Sequence, residues 1–251
     1  MTNRRARLVL GIDVGGSGIK GAVVDVRNGK LVTKRYRLKT PEPAGPKEVA
    51  RVVARIVRHF EWHGPVGCGM PGPIKNGRVR ALANLDKSWL SVNVPAVYSK
   101  ACGCPVTVIN DADAAGLAEM RFGAGKRRSG VVVLTTLGTG IGTAVFVNGT
   151  LVPNTEFGQM EVKGKIAEQR ASARIRKARN LSWKNWGRRV NTYLLALENV
   201  LWPDVIIIGG GVSRKASRFL PLVTTEAKVM PAQFRNEAGI VGAALAAAQR
   251  D

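Results

Sequence analysis

Apolar residues along this chain follow two periodicities, which predict strands alternating with helices. Short apolar runs bounded by glycine, proline or asparagine are typical of buried strands, and apolar residues three and four positions apart are typical of helices. The strand pattern occurs at 8–14, 19–26, 31–36, 66–70, 106–109 and 204–208, and again in a meander that starts at 131. The helical pattern occurs at 47–60, 110–122, 183–201 and 236–249.

One local pattern occurs twice, near the start of the chain and again in the middle. Each copy reads as an apolar strand, a turn with a hydroxyl residue beside glycines, a second strand, an Asn-Gly turn and a third strand. Because a helix and a further strand follow each copy, we expect two α/β lobes with a cleft between them. The expected N-terminal lobe is 1–112, joined by a C-terminal helix at about 237–251, and the expected C-terminal lobe is 113–236.

The charge balance is strongly basic, with 39 Lys and Arg against 17 Asp and Glu and a formal net charge of +22. Such a field attracts polyanions, so nucleic acid, an anionic membrane and polyphosphate are candidate partners. A surface adapted for solubility, without a specific partner, is the alternative.

Neither a membrane span nor a metal cluster is expected from the composition. No apolar stretch approaches the roughly 20 residues that a spanning helix needs, and the run after the basic N-terminus is too short for a signal peptide. We therefore expect a cytoplasmic protein. Cys68, Cys102 and Cys104 give no disulfide framework, and with only two histidines no zinc is expected.

The two repeated turns have the composition of phosphate-binding loops. Glycines let backbone N–H groups approach an anion closely, and a hydroxyl adds a donor. Asp13 could hold Mg²⁺ through water, and Lys20 could add positive charge. A tight hairpin is the alternative for either turn alone, but two equivalent turns favour phosphate binding. The first glycine turn is Gly15, Gly16, Ser17 and Gly18, and the second glycine turn is Gly138, Thr139 and Gly140.

A third glycine turn, Gly209, Gly210 and Gly211, follows a predicted strand. Its glycines could let a nucleotide base or a phosphate lie on the backbone, or could simply pack a helix against the strand. Ser213 is a plausible N-cap for the helix that we expect next.

Polar residues at two further places could act on a sugar. Asp111 follows a buried strand and could take a proton from an alcohol, with Asp113 as a competing candidate and a helix cap as the alternative for Asn110 or Asp111. The polar loop at 154–161 and the segment at 84–89 offer carboxylate and amide groups that suit sugar hydroxyls.

A basic segment lies between 163 and 189, and a second one precedes the second meander. A charge run is usually a solvated face, but here it could also form a track for a long polyanion. The proposed polyphosphate track consists of Lys126, Arg127, Arg128, Arg174, Arg176, Lys177 and Arg179.

Together these motifs resemble those of a known superfamily. The segments 13–20, 137–142 and 207–213 look like the phosphate-1, phosphate-2 and adenosine motifs of the sugar kinase/Hsp70/actin superfamily. Within it, 110–115 and 154–161 resemble the ROK family, and 84–90, 137–142 and 235–244 resemble its actinobacterial subgroup of polyphosphate-using sugar kinases. The resemblance implies a two-lobed actin/hexokinase/Hsp70-like (ribonuclease H-like) α/β fold with duplicated βββαβα units and a central cleft.

The same resemblance implies roles for single residues. Asp111 would be the general base for the 6-hydroxyl of the sugar, and the two glycine turns with Asp13 and Lys20 would surround Mg²⁺ and the transferred phosphoryl group. The residues implied in sugar binding are Asn84, Asn110, Asp111, Glu156, Gln159 and Glu168. Gln159 stands where the family usually has a histidine, which is a departure that bears on sugar selectivity.

The function expected from the resemblance is Mg²⁺-dependent transfer of a phosphoryl group from polyphosphate to glucose. ATP is expected as a second donor, mannose as a second sugar, and a homodimer as the assembly, with no specific nucleic acid and no membrane as partner. A strictly ATP-dependent glucokinase, a sugar-sensing repressor and a non-catalytic sugar-binding protein are the alternatives. The position of the first glycine turn leaves no room for a repressor's DNA-binding segment before it, and retention of Asp111 favours an enzyme.

Overall fold

The computed structural model describes residues 7–81 and 86–249. Thirteen strands and seven α-helices follow one another in this described part of the chain. They are β1 (Leu8–Gly15), β2 (Gly18–Asp25), β3 (Lys30–Leu31), β4 (Tyr36–Leu38), α1 (Pro46–His59), β5 (Val66–Met70), β6 (Ile74–Lys75), β7 (Arg78–Val79), α2 (Val94–Cys102), β8 (Val106–Asn110), α3 (Asp111–Phe122), β9 (Val131–Leu137), β10 (Ile141–Val147), β11 (Thr150–Val152), α4 (Glu168–Ala171), α5 (Ala173–Ala178), α6 (Trp183–Leu201), β12 (Val205–Gly209), β13 (Lys228–Pro231) and α7 (Ala238–Ala248).

These elements form two units. The first unit is made of the chain up to Ala118 together with the segment from Glu237 onward, and the second is the continuous stretch Glu119–Asn236. The division falls inside helix α3. None of the described helices is long and apolar enough to cross a membrane.

The first unit is built on a sheet in the order β3-β2-β1-β5-β8, with β4 pairing on β2 as well. β1 and β2 are antiparallel, whereas β1, β5 and β8 are parallel. The β5 strand is buried at every position, as expected of a parallel strand covered on both faces. Because parallel strands share one direction, β1, β5 and β8 bring their carboxyl ends to one edge of the sheet.

Helix α1 shows how the sequence pattern becomes packing. Pro46 occupies its first turn, where a missing N–H group is tolerated, and Val49, Val53 and Ile56 lie on its buried face. Burying a side chain of this size stabilises the fold by about 1.5–3 kcal/mol relative to exposure. The apolar spacing at 47–60 therefore predicted the helix within one residue at each end.

Helix α7 packs on the sheet of the first unit by direct contact between backbones. A Cβ atom at Gly67 would collide with the carbonyl oxygen of Ala243, and a Cβ atom at Gly242 would collide with that of Ala114. Only glycine permits such an approach of helix to strand and of α7 to α3. The last helix is thus an integral layer of the first unit.

The second unit repeats this arrangement, with a sheet in the order β11-β10-β9-β12-β13. Helix α6 covers one face of it with Trp186, Val190 and Leu194, all fully buried. In both sheets the first strand of the meander lies between the second strand and a parallel strand that follows later. The duplication expected from the sequence is therefore present in the strand order.

Two local predictions are wrong. The predicted strand at 31–36 is split into β3 and β4, because the hydroxyl of Thr33 accepts the Val23 N–H at 3.0 Å and replaces a ladder hydrogen bond. Ser213 does not begin a helix: it lies inside a 3₁₀ segment, Gly211–Arg218, whose N-cap is Gly210. The Ser213 hydroxyl is buried without a hydrogen-bond partner among the described residues.

Candidate active site

The first glycine turn connects β1 to β2, and two of its carbonyl oxygens accept hydrogen bonds from side chains. Thr40 donates its hydroxyl to the carbonyl of Gly15 at 2.5 Å, and Arg37 Nη2 donates to the carbonyl of Ser17 at 2.7 Å. The N–H groups of Gly16 and Ser17 bond no backbone group in the described part of the chain, and both residues are exposed. The turn therefore presents amide donors to solvent, which is the arrangement that binds an anion.

Asp13 and Lys20 face each other on β1 and β2 beside this turn. They are paired in register, and Lys20 Nζ lies 3.0 Å from Asp13 Oδ2 with both side chains about one-fifth exposed. Gly239 at the start of α7 borders the carboxylate, since a Cβ atom there would lie 2.8 Å from Asp13 Oδ2. A partly buried ion pair at the end of β1 thus accompanies the first glycine turn.

Asp111 follows β8 at the same edge of this sheet. The register aligns Asp13, Gly69 and Ile109 across β1, β5 and β8, so Asp13 lies on β1 and Asp111 directly follows β8, two strands that are roughly 10 Å apart. A Cβ atom at Gly69 would lie 3.8 Å from the Asp111 Cα. Asp111 is half-buried, whereas Asp113 is 1% exposed, so Asp111 is the carboxylate that an external substrate can reach.

Asn110 is the cap of helix α3. Its Oδ1 accepts from the N–H groups of Ala112 and Asp113 at 2.8 and 3.0 Å, and its Nδ2 donates to the carbonyl of Gly72 at 3.0 Å. Its second Nδ2 hydrogen has no partner among the described residues, and Asn110 is 4% exposed. Asn84 lies outside the described residues.

The second glycine turn is also held through its carbonyl oxygens. Arg174 Nε donates to the carbonyl of Thr139, and the Arg174 backbone N–H donates to the carbonyl of Gly138, both at 3.1 Å. Glu168 Oε2 accepts from the Ile141 N–H at 3.4 Å, just beyond the turn. Thr139 itself is exposed. The side chain of Glu168 is therefore engaged with the base of this turn.

The polar loop at 154–161 is fixed to strand β10 by Thr143. The Thr143 hydroxyl donates to the carbonyl of Thr155 at 2.8 Å and accepts the N–H of Phe157 at 3.1 Å, while the Thr155 hydroxyl donates back to the carbonyl of Thr143 at 3.1 Å. Glu156 lies between the two fixed residues and is half-buried, and Gln159 is exposed. Thr143 thus sets the position of the loop that carries both polar side chains.

The third glycine turn stands beside the second one. Gly209 pairs with Thr136 across β12 and β9, and Gly210 has φ of +79°, where an added Cβ atom would collide with the Leu137 carbonyl. Gly211 is exposed, with open space where a side chain would be. The third glycine turn therefore packs against Leu137, next to the second glycine turn, and leaves Gly211 open.

The residues of the predicted polyphosphate track have different surroundings. Arg176 stacks on the Trp183 ring at 4.2 Å and donates to the carbonyl of Leu181 at 3.3 Å, so it contributes to packing. Arg174 is bound to the second glycine turn. The remaining track residues, Lys126, Arg127, Arg128, Lys177 and Arg179, are exposed.

Sequence reasoning missed Arg37 and Thr143. Arg37 lies just past the predicted third strand, and only the pairing of β4 with β2 brings it to the glycine turn. Thr143 reads as an ordinary strand residue within β10. Neither position carries a local signal, because both act through contacts with segments distant along the chain.

A divalent cation at the first glycine turn is compatible with these residues. Among the described residues no three His, Cys, Asp or Glu side chains come together as a metal cage. Mg²⁺ in phosphoryl-transfer sites is commonly held by one or two carboxylates with water and substrate phosphates, so a cage is not required. Asp13, partly exposed beside the turn, is a donor of this kind.

Comparison with known proteins identifies relatives along nearly the whole chain. A protein named polyphosphate glucokinase from Mycobacterium tuberculosis (strain CDC 1551 / Oshkosh) is 52% identical over 237 residues, covering 94% of this chain and 89% of that protein. The crystal structure of an inorganic polyphosphate/ATP-glucomannokinase from Arthrobacter sp. strain KM matches with a TM-score of 0.94 at 45% identity, covering 97% of this chain and 99% of that one. A ROK family glucokinase from Streptomyces griseus, in complex with glucose and AMPPNP, matches with a TM-score of 0.81 at 26% identity, covering 96% and 99%.

These matches confirm the actin/hexokinase-like fold expected from the sequence. The sequence profile of the ROK family matches residues 9–166, which is more than half of the chain. The chain therefore belongs to the ROK family.

Proposed function

We propose that this protein is a polyphosphate–glucose phosphotransferase, which moves the terminal phosphoryl group of inorganic polyphosphate to the 6-hydroxyl of glucose. The observation that carries the proposal is the half-buried Asp111 at the sheet edge, in a chain 52% identical to a polyphosphate glucokinase. Asp111 shares its unit with the first glycine turn and with the Asp13–Lys20 pair.

In this mechanism Asp111 is the general base. Its carboxylate accepts the proton of the glucose 6-hydroxyl while that oxygen attacks the terminal phosphorus. The bond from this phosphorus to the bridging oxygen breaks, and the polyphosphate leaves one phosphate shorter. A positioned base contributes typically 10²–10⁴-fold to such a step.

The proposed sugar-binding residues carry amide and carboxylate groups. Asn110 offers its remaining Nδ2 hydrogen, and Glu156 and Gln159 lie on the loop that Thr143 fixes. Glu168 and Asn84 complete the proposed set. Adjacent sugar hydroxyls suit carboxylate and amide groups, since each can accept or donate two hydrogen bonds.

The phosphates are held by backbone and charge. In the first unit, the Gly16 and Ser17 amides, the Ser17 hydroxyl and the Lys20 ammonium would neutralise developing charge, which is most of what phosphoryl transfer requires. In the second unit, the Thr139 hydroxyl offers a donor of the same kind, while the Gly138 N–H is bonded to the carbonyl of Gly140 at 3.0 Å. Asp13 would hold Mg²⁺ through water, and the cation would supply further neutralisation of phosphate charge. The exposed track residues would guide the rest of the polyphosphate chain.

Several finer properties belong to the same proposal. ATP is a second donor, supported by the open backbone at Gly211 in the third glycine turn. Mannose is a second sugar, and the assembly is a homodimer. The protein works in the cytoplasm, where its cysteines, which are free thiols, would remain reduced.

The deciding experiment measures glucose 6-phosphate formed with polyphosphate and then with ATP, in Mg²⁺ and at several salt concentrations. Polyphosphate should support turnover, with a Michaelis constant that rises steeply with salt. Asp111→Asn should lower kcat at least about 100-fold while leaving the unfolding midpoint within a degree or two. Near-normal turnover by this variant would exclude Asp111 as the base. Turnover with ATP but not with polyphosphate as donor would show that the protein is a strictly ATP-dependent glucokinase.

A further inference from the structure

The two glycine turns have a common feature that is not part of the sequence repeat. In each turn the carbonyl oxygen of the hydroxyl residue accepts a hydrogen bond from an arginine side chain. Arg37 Nη2 bonds the carbonyl of Ser17 at 2.7 Å, and Arg174 Nε bonds that of Thr139 at 3.1 Å. Arg37 reaches its turn from strand β4, whereas Arg174 reaches its turn from helix α5.

Both arginines keep most of their donor capacity. A guanidinium has five N–H groups, and each of these two spends one on the turn carbonyl. Both side chains are exposed, and neither forms an ion pair with any carboxylate of the described residues. A full positive charge with a planar fork of donors therefore stands beside each set of turn amides.

A purely structural role would gain little from these contacts. Both turns are at the surface, where water can satisfy an exposed carbonyl, so the net stabilisation by such a hydrogen bond is small. The bond instead fixes the guanidinium beside the turn before any ligand arrives. Fixing a flexible side chain in advance lowers the entropy lost on binding.

The charges of three side chains in one row across the first sheet support the same conclusion. Asp13, Lys20 and Arg37 are directly opposite one another on β1, β2 and β4. Like charges facing each other on neighbouring strands destabilise a sheet, and one carboxylate compensates only one of the two cations. An anion bound at the first glycine turn would compensate the other.

We propose that Arg37 and Arg174 are donor-phosphate residues, each binding a phosphoryl group of the polyphosphate chain beside its own glycine turn. The inference rests on the proposed function, because it takes the donor to be a chain of phosphates. Arginine suits the role, since its fork matches two phosphate oxygens at once. Arg37 is thereby assigned to the phosphate site, and Arg174 is distinguished from the remaining track residues.

The test is direct binding of tripolyphosphate, measured calorimetrically without glucose and at several KCl concentrations. Arg37→Gln and Arg174→Gln should each weaken binding about 10- to 100-fold. Each should also lower the slope of log Kd against log salt by about one, as loss of one phosphate contact does. Arg37→Lys should fall between wild type and Arg37→Gln, because it keeps the charge and loses the fork.

Matched controls remove one positive charge from the same unit at an exposed position whose side chain bonds neither glycine turn in the described structure. Arg35→Gln serves the first unit and Lys228→Gln the second, and both should bind within about twofold of wild type. If Arg37→Gln and Arg174→Gln bind like these controls, or change only the unfolding midpoint, the inference is overturned. Absence of tripolyphosphate binding by the wild type would overturn it as well.

Kinetics separate this inference from the proposed function. Both arginine variants should raise the Michaelis constant for polyphosphate while changing that for glucose less than about twofold. A wild type that binds tripolyphosphate through both arginines but phosphorylates no glucose would refute the function and support the inference. A wild type that phosphorylates glucose from polyphosphate while both variants bind tripolyphosphate normally would support the function and refute the inference.

Discussion

Replacing Thr143 by valine tests whether one buried hydroxyl positions the sugar loop. The side chain is 1% exposed, and its hydroxyl donates to the Thr155 carbonyl and accepts from the Phe157 N–H, with the Thr155 hydroxyl 3.2 Å away as a third neighbour. Valine keeps the branched shape and replaces the hydroxyl by a methyl group, so both bonds are lost. The reciprocal bond from the Thr155 hydroxyl to the Thr143 carbonyl remains available.

The expected magnitude follows from these two bonds. Each contributes about 1 kcal/mol net, which gives about 2 kcal/mol for the pair. The figure would rise to about 4 kcal/mol if both released backbone groups stayed dry. Because Thr155 and Phe157 are half-buried, water can reach them, and the lower value is expected. If the full 2 kcal/mol shifts the equilibrium of the loop from the docked to an undocked state, the Michaelis constant for glucose rises about 30-fold.

The assay compares Thr143→Val with Thr143→Ser, which retains the hydroxyl and loses only the methyl group. Urea unfolding gives the stability, and initial rates at saturating donor give kcat and the Michaelis constant for glucose. Thr143→Ser should remain within about 1 kcal/mol and threefold of wild type. Equal Michaelis constants for the two variants would refute the argument that the hydroxyl, through the loop carrying Glu156, controls sugar binding.

Two further predictions concern carboxylates of the first unit. The side-chain hydrogen bonds from Arg27 are the chief cause that lowers the pKa of Asp25, so the ionised Asp25 stabilises the fold above the unfolded pKa near 3.8, and this stabilisation is lost as pH falls through the lower folded pKa. Asp25→Asn should therefore be less stable than wild type at pH 7. A difference in urea midpoint between the two proteins that did not shrink below pH 4 would contradict this. Gly239→Ala should displace the Asp13 carboxylate from Lys20, because the added Cβ would lie 2.8 Å from Asp13 Oδ2. The Mg²⁺ concentration that gives half the maximal rate should rise several-fold, with little change in urea midpoint. An unchanged Mg²⁺ dependence would argue against Asp13 as the residue that holds the metal.

Regular elements with a strong apolar pattern could be predicted from the sequence. Helix α6 begins and ends at the predicted residues, and strand β5 does as well, because burial along one face or along a whole strand is encoded in neighbouring residues. The repeated meander likewise predicted the matching strand orders of the two sheets.

The irregular parts of the site could not be predicted in this way. The break between β3 and β4 depends on one hydroxyl, that of Thr33, which takes a hydrogen bond from the backbone of another strand. That break restarts the ladder at Tyr36 and so places Arg37 opposite Lys20. The pattern of apolar residues does not record a side chain that competes with a ladder hydrogen bond, and the arginine at the first glycine turn was missed for that reason.

The division of the chain into a discontinuous first unit and a continuous second unit has a consequence for biosynthesis. The 118 residues from Glu119 to Asn236 are translated after the main part of the first unit and before α7. At ordinary elongation rates this takes roughly 6–24 s, and during that time the face of β1 and β5 that α7 will cover stays open. The second unit can therefore complete its fold first, while β1 and β5 of the first unit remain uncovered until α7 has been translated. A ribosome paused within α6 would hold a nascent chain whose first sheet still lacks one of its layers.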